Sequence, residues 1–167
     1  MKIEQLKNFG VFEGLNEDEL NEFKNVLQAV HIEPGQQFIT EGHEGDCIYL
    51  LLNGEVEINQ ALTLSMNKGK GDNREKAIIK LSSDFKPLFG EMSMFNEGDK
   101  RTANVMALTA CDLVRIDKAD LFTICENFPI IGYKVMRNFG KIISKKLEMS
   151  NQNVLKLTTA FSLILER

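Results

Sequence analysis

The sequence has 167 residues, of which 43% are hydrophobic and 26% are charged, and its formal net charge is −4. This length suits one domain with additional helices better than two complete domains. No apolar run approaches the roughly 20 residues that span a bilayer, and the N-terminus lacks the apolar segment of a secretory signal. We therefore expect a cytoplasmic protein that does not enter a membrane.

The first predicted element is an amphipathic helix over residues 16–28. Asn16 and Glu19 form a capping-box pattern, and Leu20, Phe23 and Leu27 follow at helical spacing. The pattern then changes to short β-type runs between turns. Strands are expected near 29–33, 37–40, 47–52 and 55–64, and the polar, glycine-containing stretch 66–76 is expected to form a hairpin loop.

The second half completes the β region and ends in helices. Residues 77–84 predict a fifth strand and 105–117 the last two, which gives about eight short antiparallel strands. Residues 118–128 predict a helix, and Pro129 fits the first turn of another that extends to Arg167. The expected fold class is α+β, mainly β: an eight-stranded, jelly-roll-like antiparallel β roll with an N-terminal helix and a long C-terminal helix.

Cysteine and histidine positions argue against metal chemistry. Cys47, Cys111 and Cys125 are far apart and odd in number, which favours buried thiols over a disulfide framework. His31 and His43 do not have a zinc-ligand spacing. A cupin-like enzyme would need a histidine-rich metal site. We therefore expect no metal, no cofactor and no catalytic residues.

Residues 89–105 lie between two predicted strands where a short turn would suffice, and they contain groups that suit a sugar phosphate. Arg101 offers a planar fork of donors for two phosphate oxygens, and Thr102 adds a hydroxyl. Gly90 permits close approach of the backbone, and a helical turn over 91–95 would direct N–H groups outward. Glu91 would repel the phosphate, so we expect it to accept from a ribose hydroxyl.

Simpler interpretations of the same residues remain open. Glu91 and Arg101 could form a surface ion pair, which contributes little stability. Gly90 could be only a turn glycine, and Thr102 a strand residue with its hydroxyl in water.

The segments FGEM at 89–92 and RTA at 101–103, in this order inside a β roll, resemble the phosphate-binding cassette of the cyclic nucleotide-binding domain family, here residues 89–103. The ten-residue step from Glu91 to Arg101 and the final helices resemble the bacterial catabolite activator branch. Two departures are Ser93, where many members have Ala, and Lys100, where many have Pro. The resemblance implies a regulatory, non-enzymatic domain that binds cAMP or cGMP, with contacts from Gly90, Glu91, Met92, Arg101, Thr102, Ala103, Ser150 and Asn151.

The C-terminal helix carries a stripe at alternating steps of four and three: Ile143, Leu147, Ser150, Val154, Leu157, Phe161 and Ile164. This a/d pattern favours a parallel homodimer, and the alternative is packing against the chain's own β roll. Ser150 interrupts the apolar stripe. The resemblance places it and Asn151 at the nucleotide base, and the alternative is that Ser150 fixes the register of the helices.

Two units are therefore expected: residues 1–127, with the N-terminal helix, the roll and the next helix, and residues 128–167, a helix for dimerisation and ligand closure. The second is basic, since residues 133–167 carry seven basic and two acidic side chains. A basic helix can meet nucleic acid or an acidic partner, or can simply be solvated. Transcription factors of the family that this chain resembles append a helix-turn-helix after this helix; we expect none here and no direct DNA binding from this chain alone. The alternative function is a dimeric scaffold for a protein partner, without nucleotide.

Overall fold

The structure is a computed structural model, and it describes residues 3–61, 75–95 and 98–165. Within these ranges the chain forms three α-helices, eight strands and four short 3-10 segments. The helices and strands are α1 Glu17–Asn21, β1 Gln28–Ile32, β2 Gln37–Ile39, β3 Cys47–Asn53, β4 Glu55–Ala61, β5 Glu75–Ser82, β6 Leu88–Phe89, β7 Asn104–Ala107, β8 Cys111–Asp117, α2 Lys118–Asn127 and α3 Pro129–Leu165.

The strands form two antiparallel sheets of four. One sheet has the order β1-β8-β3-β6 and the other has the order β2-β7-β4-β5. In the first, Tyr49 pairs with Arg115 on one side and with Phe89 on the other. The predicted fold class is confirmed: the chain is mainly β, with eight described antiparallel strands, an N-terminal helix and a long C-terminal helix.

β3 is buried on both faces, and each face packs in a different hydrophobic core. Successive side chains of a strand point to opposite faces. Ile48 and Leu50 pack in the core beneath the helices, whereas Cys47, Tyr49 and Leu51 pack in the core between the sheets. The strand therefore delivers Cys47 and Tyr49 to the inside of the roll.

The start of α1 is confirmed. The Asn16 side chain accepts from the Glu19 backbone N–H, and the Glu19 carboxylate accepts from the Asn16 backbone N–H, both at 2.9 Å. This reciprocal pair satisfies two backbone donors that a helix leaves unpaired at its start.

The predicted extent of this helix, 16–28, is wrong, because α1 ends at Asn21 and a 3-10 turn at Lys24–Val26 follows. Phe23 N–H donates to Leu20 O, and Val26 N–H donates to Phe23 O. These bonds span three residues, the period of a 3-10 helix. The steps of three and four between Leu20, Phe23 and Leu27 fit an α-helix, but the chain between them turns with 3-10 bonds.

The remaining strands begin and end within about two residues of their predicted bounds, and β6 is an additional strand that was not predicted. β6 has only two residues and pairs with Tyr49 and Leu50, so it is too short to show a period. Of the predicted hairpin loop 66–76, positions 75 and 76 belong to β5. The rest of that loop, and the predicted strand end at 62–64, lie outside the described residues.

α3 has two different halves. In the first, Ile131, Val135 and Phe139 are buried in the core, and the Asn138 side chain donates to the backbone O of Val11 and of Glu13. From position 143 onward every described residue of the helix is exposed. The alternative in which the apolar stripe packs against the chain's own roll is therefore wrong.

None of the described helices combines the length and the apolar character needed to cross a membrane.

Candidate functional site

The candidate site is built on the turn that follows β6. Met94 N–H donates to Glu91 O at 3.2 Å, and Phe95 N–H donates to Met92 O at 3.3 Å, so the chain makes a tight turn over 91–95. No helix forms there, where a helical turn was expected. Phe95 then packs edge-on against the rings of Phe122 in α2 and Phe139 in α3. The turn is thereby anchored to both helices.

The cavity beside this turn contains six of the eight predicted contact residues: Gly90, Glu91, Met92, Arg101, Thr102 and Ala103. Apolar walls come from both sheets through Ile39, Ile58, Phe89 and Val105. Lys146 of α3 reaches the same cavity. The roll, the turn and the C-terminal helix therefore meet at one place.

Backbone pairing with the β2–β3 loop fixes the position of Arg101. Its N–H donates to His43 O, and its O accepts from the Gly42 N–H, both at 2.9 Å. A neighbouring β-bridge joins Glu44 to Lys100. Because Arg101 lies in this short ladder just before β7, its side chain leaves the backbone from a defined point.

The side chain of Arg101 is buried and directed at β3. Nη1 donates to the carbonyl O of Cys47 at 2.8 Å and to Ser93 Oγ at 3.1 Å, and Nη2 donates to Cys47 Sγ at 3.1 Å. Its guanidinium carbon lies 5.9 Å from the centre of the Tyr49 ring, within range of a cation–π contact. Burial raises the pKa of Tyr49 to about 12, so this ring stays neutral.

Glu91 is also buried, and its partner comes from α3. Lys146 Nζ donates to Glu91 Oε1 at 2.6 Å; the carboxylate is 3% exposed and the ammonium-bearing side chain 50%. Glu91 and Arg101 are therefore not a surface ion pair, and that interpretation is wrong. The ion pair between Glu91 and Lys146 links the turn after β6 to the C-terminal helix.

Gly90 forms part of a turn and also allows the backbone to lie close to the Arg101 guanidinium. Its φ is +89°, and a Cβ added there would lie 2.2 Å from Arg101 Nη1 and 2.7 Å from Cys47 O. Thr102 lies outside the strand, and its hydroxyl donates to Met92 Sδ at 3.6 Å. The interpretation of Thr102 as a strand residue is therefore wrong.

Ser150 and Asn151 are not brought to this cavity. Both are exposed on α3, about one turn beyond Lys146. Their assignment to the nucleotide base remains a prediction.

Residues 29–128 match the family model described as the cyclic nucleotide-binding domain. The chain belongs to the cyclic nucleotide-binding domain family.

Curated relatives of this cyclic nucleotide-binding domain include regulators of two kinds. It is 25% identical over 154 residues to the CRP-like cAMP-activated global transcriptional regulator of Mycobacterium tuberculosis, and the aligned region covers 92% of this chain and 62% of that protein. It is 31% identical over 113 residues to the cAMP-dependent protein kinase regulatory subunit of Yarrowia lipolytica, which covers 68% and 26%. The chain thus spans less than two thirds of the length of either relative.

Solved structures share the fold. A cyclic nucleotide-binding domain from Methylobacillus flagellatus superposes with a TM-score of 0.75 at 23% identity, covering 92% of this chain and 80% of that one. The Thermus thermophilus catabolite activator protein gives a TM-score of 0.72 at 21% identity, covering 89% and 63%. At these identities the likeness shows the fold alone.

Sequence reasoning missed Lys146 as part of the site. It lies four residues before Ser150, so the two share one helix face, but α3 carries several lysines and no local signal distinguishes this one. Cys47 was predicted only as a buried thiol, and nothing near it in the sequence indicates its contact with Arg101.

Proposed function

We propose that this domain is a regulatory module that binds a cyclic nucleotide, cAMP or cGMP, in the cavity after β6 and transmits occupancy through α3. The observation that supports it most directly is that Arg101 and Glu91, both buried, line one cavity that α3 also reaches. Buried charges are costly unless they are paired or serve a ligand.

The charges suit a cyclic phosphate. Arg101 and Lys146 are cationic and Glu91 is anionic, so these three lining groups carry one net positive charge. A cyclic phosphodiester carries one negative charge. We assign the phosphate to Arg101, whose planar donors match two oxygens, and the ribose 2′-hydroxyl to Glu91. Gly90, Met92, Thr102 and Ala103 line the remaining surface, and we propose no catalytic step.

The contact between Glu91 and Lys146 gives a route by which ligand occupancy could be transmitted to α3. In the proposed complex the ribose hydroxyl donates to the carboxylate that Lys146 already contacts, so the ligand changes the environment of α3. Ser150 and Asn151 would approach the base from the same helix. A ligand that binds unequally to two positions of α3 selects one of them.

We also propose that two copies associate through the exposed stripe of α3. Leu147, Val154, Leu157, Phe161 and Ile164 are each at least 59% exposed, and Ile143 at the start of the stripe is 37% exposed. A heptad seam of this length is the pattern of a two-stranded coiled coil.

The binding test is calorimetric titration with cAMP, cGMP and their 2′-deoxy analogues. Arg101→Lys should weaken both ribose and deoxy ligands about ten- to a hundredfold, because a point cation cannot reproduce the paired donors. Glu91→Gln should weaken the ribose ligands by a similar factor but leave the deoxy analogues nearly unchanged. Arg137→Lys and Glu126→Gln, both exposed and outside the cavity, are the matched controls.

A thermal-shift measurement separates this function from the scaffold alternative. Nucleotide at 100 times its Kd should stabilise the fold by about 2.7 kcal/mol. Absence of a shift with every cyclic nucleotide tested would contradict nucleotide binding and favour a dimeric scaffold.

Sedimentation tests the dimer. Changing Leu157 and Phe161 together to Gln should weaken association, because both lie in the seam. Leu155 and Leu163 are equally exposed but lie off the seam, so their double Gln variant should sediment as the wild type. Equal behaviour of the two double variants would exclude the seam as the interface.

A further inference from the structure

The guanidinium of Arg101 is already held by the protein on one side. Nη1 donates to Cys47 O and to Ser93 Oγ, and Nη2 donates to Cys47 Sγ. A guanidinium has five N–H donors in one plane, and these contacts use three of them. Among the described residues, none accepts from the Nε–H or from the second Nη2 N–H.

These two remaining donors lie on the same edge of the guanidinium. Both nitrogens at the far end, Nη1 and Nη2, contact Cys47, so the end of the fork faces β3. The side edge, formed by Nε and Nη2, stays available. Two parallel N–H groups on such an edge match two oxygens of a phosphate.

The guanidinium has little freedom to turn. A Cβ added at Gly45 would lie 2.2 Å from Ser93 Oγ and 2.9 Å from Arg101 Cδ, so backbone encloses the arginine there. Gly90 encloses Nη1 in the same way. Ser93 Oγ also donates to the carbonyl O of Gly90 at 2.8 Å, which directs a hydroxyl lone pair toward Arg101.

The sulfur of Cys47 accepts as a neutral atom. Burial raises the pKa of the Cys47 thiol, so it is protonated at neutral pH. A neutral acceptor orients the guanidinium without cancelling its charge, which leaves the cation available to an anionic ligand.

We propose that Ser93 and Cys47 are positioning residues that hold the far end of the Arg101 guanidinium, so that its side edge presents Nε and Nη2 to two fixed phosphate oxygens. The proposal rests on the proposed nucleotide site. It gives a role to Ser93, at the position where many family members have Ala and cannot make this contact.

The test uses the Rp and Sp phosphorothioate diastereomers of the cyclic nucleotide that the wild type binds best. Each replaces a different exocyclic oxygen by sulfur, a weaker acceptor. The two contacts are unequal, because Nη2 is also held by Cys47 Sγ and Nε is not. A fixed guanidinium should therefore distinguish the two diastereomers, and the wild type should show unequal Kd values. Ser93→Ala should raise the Kd of the parent nucleotide about three- to tenfold and reduce the ratio of the two diastereomer Kd values at least threefold.

A second variant and matched controls separate positioning from general destabilisation. Cys47→Ala should also reduce the ratio, whereas Cys47→Ser keeps an acceptor and should preserve it. Ser82→Ala removes a hydroxyl that accepts from Asp84 N–H outside the site, and Cys111→Ala removes a buried thiol outside the cavity. Both controls should lower stability without changing the ratio.

The outcomes distinguish the two proposals. Equal binding of the diastereomers by the wild type, or an unchanged ratio in Ser93→Ala and Cys47→Ala, would overturn the positioning role while nucleotide binding stands. Failure of the wild type to bind any cyclic nucleotide would overturn the proposed function itself. If one of the two variants does not fold, the ratio measured on the other decides.

Discussion

The contact between Lys146 and Glu91 predicts a measurable contribution to stability. Lys146→Met keeps the aliphatic stem of the side chain and removes its charge. Glu91 is 3% exposed and Lys146 50% exposed, with 2.6 Å between Nζ and Oε1. The variant therefore leaves a buried carboxylate without its cation.

The expected cost lies between two limits. Removing one partner of a fully buried pair costs about 3–5 kcal/mol, and a fully exposed pair contributes about 1 kcal/mol or less. Because the lysine is half exposed, water can replace part of its contact with the carboxylate. We expect Lys146→Met to lower the free energy of unfolding by about 1–2 kcal/mol, which corresponds to a fall in Tm of about 2–8 °C for a chain of this size.

The assay is urea denaturation followed by helical circular dichroism, without nucleotide. Lys145→Met is the matched control: this neighbouring lysine is exposed and forms no ion pair with any described residue. The double variant with Glu91→Gln completes a thermodynamic cycle and should show a coupling of about 1 kcal/mol. If Lys146→Met costs no more than Lys145→Met, or if the cycle is additive within about 0.3 kcal/mol, the pair does not link α3 to the site.

Two further predictions concern the backbone at the site and the N-terminal segment. Gly90→Ala should abolish high-affinity nucleotide binding because its Cβ would overlap the Arg101 guanidinium. Gly35 has a similar φ of +81° with nothing within 4 Å of an added Cβ, so Gly35→Ala should lose stability but keep its affinity for nucleotide. Equal affinities in the two variants would contradict the close approach of Gly90 to Arg101. The hydrogen bond from Lys134 lowers the pKa of Glu19 from its ordinary value of 4.5. The stabilisation from ionised Glu19 is therefore complete only well above pH 4.5 and is lost as the pH falls through the lower, folded-state pKa. The free energy of unfolding should therefore fall less steeply with decreasing pH in Glu19→Gln than in the wild type. Identical curves would contradict this contribution of Glu19.

The sequence by itself determined the features whose signals are local. The capping box at Asn16 and Glu19 needs only residues one turn apart, and the strand predicted at 47–52 needs only a short apolar run between turns. Gly90, Glu91 and Arg101 could be predicted as a set because a tight turn and a cationic clamp require particular residue types at a short spacing. Local spacing also caused the error at 16–28, since 3-10 turns and an α-helix differ little over so few residues.

The tertiary structure decided which distant groups meet. Lys146 pairs with Glu91 across 55 positions of the chain, and Arg101 contacts Cys47 across 54. Neither partner could be chosen from the sequence, because several lysines lie on α3 and three cysteines are available. The choice depends on how the sheets close and where the helix crosses the cavity. These are collective results of packing, so no single segment of the sequence encodes them.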